Sequence, residues 1–329
     1  MAGLELTRLN ELRRSAGQWV LTTHVNPDAD GVGSQLAFAS WLRSAGASVR
    51  IINRDPLPRL LDFLDSAGEV DTYEPERHDR WIAAADVVVM LDNSVPSRLG
   101  QMLEPVSANG GVKACIDHHP DPDPFWQLLA VDPTACCTAE IVFDLFRISD
   151  EPVDPSTANA LYTALIADTG RFRFANTSER AFRMAADLVA RGADPAFVCS
   201  HLEERLSGPF VKMMGSMLAG IEQRAEGRLL LLRTPDELAT SDALHGEDLA
   251  EVINFALRVG SSRIAALFRQ LGPGRTKVSL RSKGDLDVNR LARAHGGGGH
   301  KNASGLVLDR SPEEAIALLV AELEQLARS

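Results

Sequence analysis

Three residues able to bind a metal crowd into one loop near the start of the chain: His24, Asp28 and Asp30, within THVNPDADGVGS at residues 23–34. A short apolar run at 19–21 precedes the loop, and a helical pattern at 35–42 follows it. Two carboxylates in so tight a loop beyond a buried strand require a cation, an arginine or backbone N–H groups. Similar residues recur downstream. Asp92 follows the run DVVVML, Asp117, His118 and His119 follow the apolar stretch 111–116, and Asp168 closes a helical pattern. Taken singly, an Asp after a strand is more often a helix cap or turn residue than a ligand. Taken together, four segments would gather acids and imidazoles at one edge of a sheet, and that many like charges demand neutralising cations. Imidazoles among carboxylates suit Mn²⁺ first and Mg²⁺ second, and no thiolate set competes. Two such ions about 3.5–4 Å apart can share a carboxylate, activate water and stabilise an in-line phosphoryl displacement. The residues alone point to a two-metal phosphoesterase.

Elements of an α/β fold must position them. A helix at 5–16, a strand at 19–23, a helix at 33–45 and a strand at 48–52 open the chain, with a short helix at 59–64. The nearly continuous apolar run 86–91 and its weaker copy at 111–116 have the pattern of parallel strands covered on both faces. In a doubly wound, mainly parallel sheet, ligands collect beyond the carboxyl ends of such strands. Helices are expected at 138–146, 156–167 and 178–191. The second half changes character, with strands at 228–232, 263–270, 276–281 and 306–308, a turn at 272–274, and helices at 288–294 and from 312 to about 327. It is expected to form a smaller α+β domain. The division is placed at 1–192 for the first domain, 193–220 for a helical connector and 221–329 for the second domain.

Length and charge limit the choice of partner. At 329 residues the chain exceeds what one core usually supports. A net charge of -11 argues against broad binding to long duplex nucleic acid. Between Arg258 and Lys301, however, ten Lys or Arg face two acids, which suits a small anionic ligand or a short oligonucleotide. The four cysteines have no zinc-like spacing. Neither a leader pattern nor a membrane-length apolar run is present, so a cytoplasmic, reducing setting without membrane attachment is expected. Gly296 to Gly299 form either a linker or a close approach of backbone to a phosphate or base, with donors from His300 and Lys301 beside it. Arg171, next to Asp168, is placed to meet a phosphate. Aromatics make up 5% of the chain, too few for a long stacking track.

HVNPDADGVGS, LDNS, DHHP and ADTGRF, in this order, resemble the four motifs of the DHH phosphoesterases, and GGGGHKNASG resembles the glycine-rich signature of their DHHA1 domain. The resemblance covers nearly the whole chain, and its length and domain content are similar to the bacterial oligoribonuclease–pAp phosphatases, or nanoRNases. It implies that His24 and Asp28 bind one metal, that Asp30, His118 and Asp168 bind the second, and that Asp92 bridges them. Asp117 would orient His118 by accepting its other N–H. His119 would face the scissile phosphate or protonate the leaving oxygen, and a water between the metals would be the nucleophile. Gly297, Gly298, Gly299 and His300 would face this site across an interdomain cleft, with Arg263 and Arg281 holding a substrate phosphate or terminal nucleotide. Cys136 and Cys137 stand where relatives commonly carry small hydroxyl residues, although backbone N–H groups at that helix start can still hold an anion.

The implied reaction is hydrolysis of short RNA oligomers, dinucleotides such as pApA and pGpG above all, to nucleoside 5′-monophosphates. Removal of the 3′-phosphate from 3′-phosphoadenosine 5′-phosphate (pAp) would accompany it. Alternatives on the same scaffold are a cyclic-dinucleotide phosphodiesterase, a single-strand DNA exonuclease and a catalytically silent nucleotide-binding protein. Pyrophosphatase relatives share the catalytic motifs but lack the DHHA1 pattern. A homodimer is compatible with the sequence and is not specified by it.

Overall fold

Short, almost wholly apolar strands build the first sheet of the computed structural model, which describes residues 2–120, 122–203, 207–235 and 246–329. The chain divides into two compact units, Met1–Arg205 and Leu206–Ser329. In the first, strands β1 (Gln18–Thr22), β2 (Ser48–Asn53), β3 (Val70–Thr72), β4 (Val87–Leu91), β5 (Val112–Asp117) and β6 (Leu128–Val131) run in the order β3-β2-β1-β4-β5-β6. All five pairings are parallel. The helices are α1 (Ala2–Ser15), α2 (Ala29–Arg43), α3 (Pro75–Ala84), α4 (Leu103–Ala108), α5 (Thr138–Ser149), α6 (Pro155–Asp168), α7 (Glu179–Ala190) and α8 (Pro195–Glu203).

Alternation along the strands sorts the core into two layers. Trp19, Leu21, Val87 and Val89 pack with residues of α1, α2, α5 and α6, while Val20, Val88, Met90 and Cys115 pack with Ile82 of α3 and Val106 of α4. Chain order reverses between β1 and β4, so the loops leaving their carboxyl ends open at the switch point where α/β sheets bind ligands. The central strands lie where the apolar runs predict them. The edge strands β3 and β6 were not foreseen, because three or four residues (VDT and LLAV) are too few to show a period. The expected helix at 59–64 is a 3-10 turn, Arg59–Leu61.

The second unit holds a mixed sheet of β7 (Glu222–Arg224), β8 (Leu229–Arg233), β9 (Ile264–Gly272), β10 (Arg275–Ser282), β11 (Gly298–His300) and β12 (Ala303–Leu308), ordered β11-β12-β10-β9-β8-β7. Among the described residues only the β8–β9 pair of this sheet is parallel, and between those strands in the chain lies α10 (Gly246–Ala256), an element not expected from the sequence. One face of the sheet packs on α11 (Val288–Ala294) and α12 (Pro312–Arg328). The other packs in part on α9 (Gly208–Ala219) and α10. The stretch 193–220 therefore contributes α8 to the first unit and α9 to the second. Among the described residues no helix is long and apolar enough to cross a membrane.

Candidate functional site

The loop after β1 uses each of its carboxylate oxygens. Asp28 is the N-cap of α2: its Oδ1 accepts the N–H groups of Asp30 (3.1 Å) and Gly31 (3.0 Å), as caps do. Its Oδ2 turns the other way, 3.6 Å from His24 Nε2. The cap occupies one oxygen of Asp28 and leaves the other beside the imidazole. Asp30, in the first turn of α2, reaches the start of α5. There Thr138 N–H donates to its Oδ2 (2.7 Å) and Ala139 N–H to its Oδ1 (3.1 Å), with Ser34 Oγ adding a bond of 3.2 Å. Cys137, the N-cap of α5, offers no side-chain bond, so the anion expected at that helix start is Asp30 itself.

Asp92 leaves β4 with a left-handed backbone, φ 65°, a conformation Asp tolerates better than most residues. Its oxygens point to different histidines. Oδ2 lies 3.5 Å from His24 Nε2, and Oδ1 lies 3.7 Å from His118 Nε2 and accepts Thr138 Oγ1 at 3.0 Å. His118 Nε2 is also 3.5 Å from Asp168 Oδ2 and 3.9 Å from Asp30 Oδ2. Asp168 ends α6, and α6 meets α2 backbone to backbone: a Cβ on Gly33 would stand 2.4 Å from the Ala160 carbonyl oxygen. Three donor groups result: His24, Asp28 and Asp92; Asp30, His118 and Asp168; and Asp92, His118 and His119. Separations of 3.5–3.9 Å exceed hydrogen bonds and match atoms that each sit about 2 Å from a shared ion.

The electrostatics fit divalent cations. Burial, then the charges of Asp30 and Asp28, push Asp92 well above the carboxylate range, and the same causes raise Asp168 to about 7. Burial also raises Asp30, against the pull of His118. Asp28 is different: although burial opposes its charge, His24 and the Gly31 N–H hold it low. A set of oxygen and imidazole donors that repel one another is incomplete without positive charge. His24 Nδ1 lies 2.8 Å from the Val25 carbonyl oxygen. An N–H there leaves the Nε2 lone pair for a metal.

One expectation is corrected. Asp117 does not hold His118; its Oδ1 accepts the backbone N–H (3.0 Å) and Nδ1–H (2.7 Å) of His119. Those two donors, two residues on, fall naturally to an Asp side chain that turns back on its own loop. His119 is 51% exposed. The bond to Asp117 raises its pKa, against partial burial. Arg171 is also not free for a phosphate, because its guanidinium pairs with Glu203. Two residues at the centre went unforeseen. Thr138 places its hydroxyl on Asp92, for which only its position at a helix start was a hint. Arg98 brings Nη2 to 3.2 Å from His24 Nδ1, and nothing in its spacing signalled that.

The second unit carries a cleft of about 530 Å³ on the sheet face shared with α10, lined by Arg269, Lys277, Arg281, Ser279 and Gly296 to Gly299. Register explains the set. Lys277 pairs with Arg269 across β10 and β9, and Arg281 pairs with Ala303 of β12, which pairs in turn with His300 of β11. Directly paired residues share a face, so small Ala303 separates two basic side chains. The neighbouring row, Ser279, Gly305 and Gly298, is a floor of nearly bare backbone. The glycines divide by role. A Cβ on Gly297 or Gly299 would strike β12, at 2.2 Å from Gly305 O and 2.6 Å from Ala303 O respectively, whereas one on Gly298 would meet nothing within 4 Å. Arg263 is not brought to this cleft. Its Nη1 donates to the Ala327 carbonyl oxygen (3.1 Å) in the last turn of α12, as basic residues at helix ends do.

The known proteins that resemble this chain agree with the geometry. The model of the DHH family, N-terminal domain, matches residues 18–165, and that of the DHHA1 domain matches residues 236–329. The chain is 31% identical over 318 residues to the bifunctional oligoribonuclease and PAP phosphatase NrnA of Thermus thermophilus, covering 95% of this chain and 92% of that one. Against the protein of the same name from Bacillus subtilis the identity is 29% over 314 residues, covering 94% of each. An exopolyphosphatase-related protein from Bacteroides fragilis has the same fold, with a TM-score of 0.89 at 26% identity over 99% of this chain and 97% of that one.

Proposed function

The chain belongs to the DHH/DHHA1 phosphoesterase family, as a metal-dependent enzyme acting on small nucleotides, and from that premise we propose that it hydrolyses short RNA oligonucleotides to nucleoside 5′-monophosphates. Dinucleotides such as pApA and pGpG are the preferred substrates, and pAp loses its 3′-phosphate at the same site. Both reactions break a bond between phosphorus and a ribose 3′-oxygen, so one arrangement of groups serves both. The observation that carries this reading is Asp92, whose two oxygens address His24 and His118 in separate donor groups. It is the residue proposed to bridge two ions, with His24 and Asp28 on one and Asp30, His118 and Asp168 on the other. Mn²⁺ is favoured over Mg²⁺ because two imidazoles join the oxygens. Bound there, the ions would supply a water of lowered pKa and neutralise charge on the phosphoryl oxygens.

The chain's own residues do the rest. Thr138 and the first N–H groups of α5 hold Asp30 and Asp92 in place, which removes reorganisation from the reaction. His119, whose pKa the bond to Asp117 raises, is the residue proposed to donate a proton to the leaving ribose oxygen. In the second unit, Arg281, Lys277 and Arg269 receive the nucleotide's anionic groups, and Gly298 lets them lie against backbone. A panel of pAp, pApA, pGpG, labelled two- to ten-nucleotide RNAs, cyclic dinucleotides and pyrophosphate, assayed with Mn²⁺ and with Mg²⁺, tests the reading. AMP from both pAp and pApA is expected. Turnover confined to pyrophosphate or to cyclic dinucleotides would overturn it.

A further inference from the structure

The loop that follows Asp168 keeps an aromatic ring in solvent beside the candidate metal ligands. Gly170, Arg171 and Phe172 take successive left-handed conformations, φ 54°, 59° and 61°, which non-glycine residues adopt only where their surroundings enforce it. Here the enforcement is visible. Phe172 packs against the first unit's core and stacks on Phe182, 4.8 Å between centroids. The N–H groups of Arg173 and Phe174 both donate to the Thr169 carbonyl oxygen at 3.0 Å, and Arg173 Nε donates to Gly170 O at 2.8 Å. Asn176 Nδ2 donates to Asp168 O (3.0 Å) and to Cys136 O (2.9 Å). The loop is thus tied to Asp168 on one side and to the approach to α5 on the other.

Phe174 emerges from this loop 56% exposed and outside every hydrophobic cluster of the described residues. A Cβ on Gly170 would lie 2.4, 2.5 and 2.6 Å from Cζ, Cε1 and Cε2 of its ring. Near-equal distances to three consecutive ring atoms put that point over the face of the ring, since beyond the edge Cζ would be far nearer than its neighbours. One face therefore rests on Gly170, which only a residue without a side chain allows, and more than half of the residue stays exposed. A phenyl ring held in water forgoes the burial that normally stabilises it. A turn that only had to face solvent would be served as well by Ser or Asn.

We propose that Phe174 is a stacking platform for a nucleobase of the substrate. The inference rests on the nucleotide reading above and adds to it a base subsite on the first unit. Every base has a π face, so the platform selects base-bearing substrates without choosing among bases.

The full-length, Mn²⁺-loaded protein tests this with Phe174→Ala, Phe174→Leu and Phe174→Trp. The substrates are pApA and an analogue of the same backbone with both bases replaced by hydrogen. For Ala and Leu, KM for pApA should rise about 5- to 100-fold, the cost of one base–aromatic stack. Trp should restore it, while KM for the base-free analogue and the bound Mn²⁺ stay unchanged. Equal losses on both substrates would mean that the ring only shapes the Asp168 loop, and no loss on either would mean that it is idle; each overturns the proposal. A dinucleotide carrying 2-aminopurine separates this inference from the reading beneath it. If its fluorescence is quenched by the wild type and not by Phe174→Ala, yet pApA is not hydrolysed, the platform stands and the oligonucleotide reading falls. If pApA is hydrolysed and quenching does not depend on Phe174, the platform falls alone.

Discussion

The acidic centre of the first unit and the basic cleft of the second are built by opposite rules. In the first, Asp30 and Asp92 are held out of water beside the exposed Asp28, and both oxygens of all three are assigned to a named N–H, hydroxyl or imidazole. In the second, Arg269, Lys277 and Arg281 line a cleft around a glycine floor, and Arg281 bonds only to its neighbour's carbonyl oxygen, Leu280 O, at 3.1 Å among the described residues. Charge held rigidly out of water stabilises a changing charge distribution without reorganising. Charge on flexible stems captures an anion and adapts to it. On the proposed function, the first region would govern rate and the second affinity.

The largest effect that could break this division is at Asp92. Asp92→Asn should lower turnover of pApA by more than about 100-fold, beyond the 10- to 100-fold typical of changes around a metal's ligands, and should lose bound metal while the circular dichroism spectrum is kept. Full activity would sink the bridging role. Thr138→Val, which removes only the hydroxyl on Asp92, should weaken Mn²⁺ binding about 10-fold or more by calorimetry, with little change in melting temperature. In the cleft, Lys277→Ala with Arg281→Ala should raise KM for pApA about 10-fold, in keeping with lost charge-assisted contacts, and leave turnover of bis(p-nitrophenyl) phosphate unaltered. A shared loss of turnover on both esters would erase the contrast between the regions.

Smaller effects sharpen it. Burial and the charges of Asp30 and Asp28 push Asp168 up to about 7, above its unfolded value, so without a bound cation the folded state should hold, between about pH 4 and 7, a proton that the unfolded state lacks. Stability must fall with rising pH across that window. The raised His24 and His119 act in the same direction above their unfolded value of 6.5. The metal-free protein should therefore melt at a lower temperature at pH 7.5 than at pH 5.5, and added Mn²⁺ should raise the melting temperature most at the higher pH. The smallest change is at Arg263. Its bond to the end of α12 predicts that Arg263→Ala costs about 0.5–1 kcal/mol of stability in urea, with KM for pApA unchanged.

The clustering of the acidic centre is legible because its candidate ligands follow the most regular elements of the chain. Buried parallel strands announce themselves as apolar runs, and a doubly wound sheet brings their carboxyl ends together whatever lies between. His24, Asp92 and His118 could be placed on that basis. What joins the ligands to each other could not. Asp117 chose His119 over His118 through the local turn, and Thr138 and Arg98 arrive from elements whose tertiary approach leaves no period in the sequence. The cleft was less legible still. Arg263 and Arg281 look alike as basic residues of neighbouring strands, yet one faces a helix end and the other the cleft. The glycine run, read as a single feature, divides into Gly297 and Gly299, which yield to β12, and Gly298, which leaves open space.

The clasp of α5 on Asp30 bears on how the enzyme would be loaded. A carboxylate already bonded through both oxygens to a helix start does not need an ion to find its place. Stripping the metals with a chelator should then yield an inactive but intact protein that regains activity on mixing, within the dead time of a manual assay. Small domains that fold only around their zinc behave otherwise.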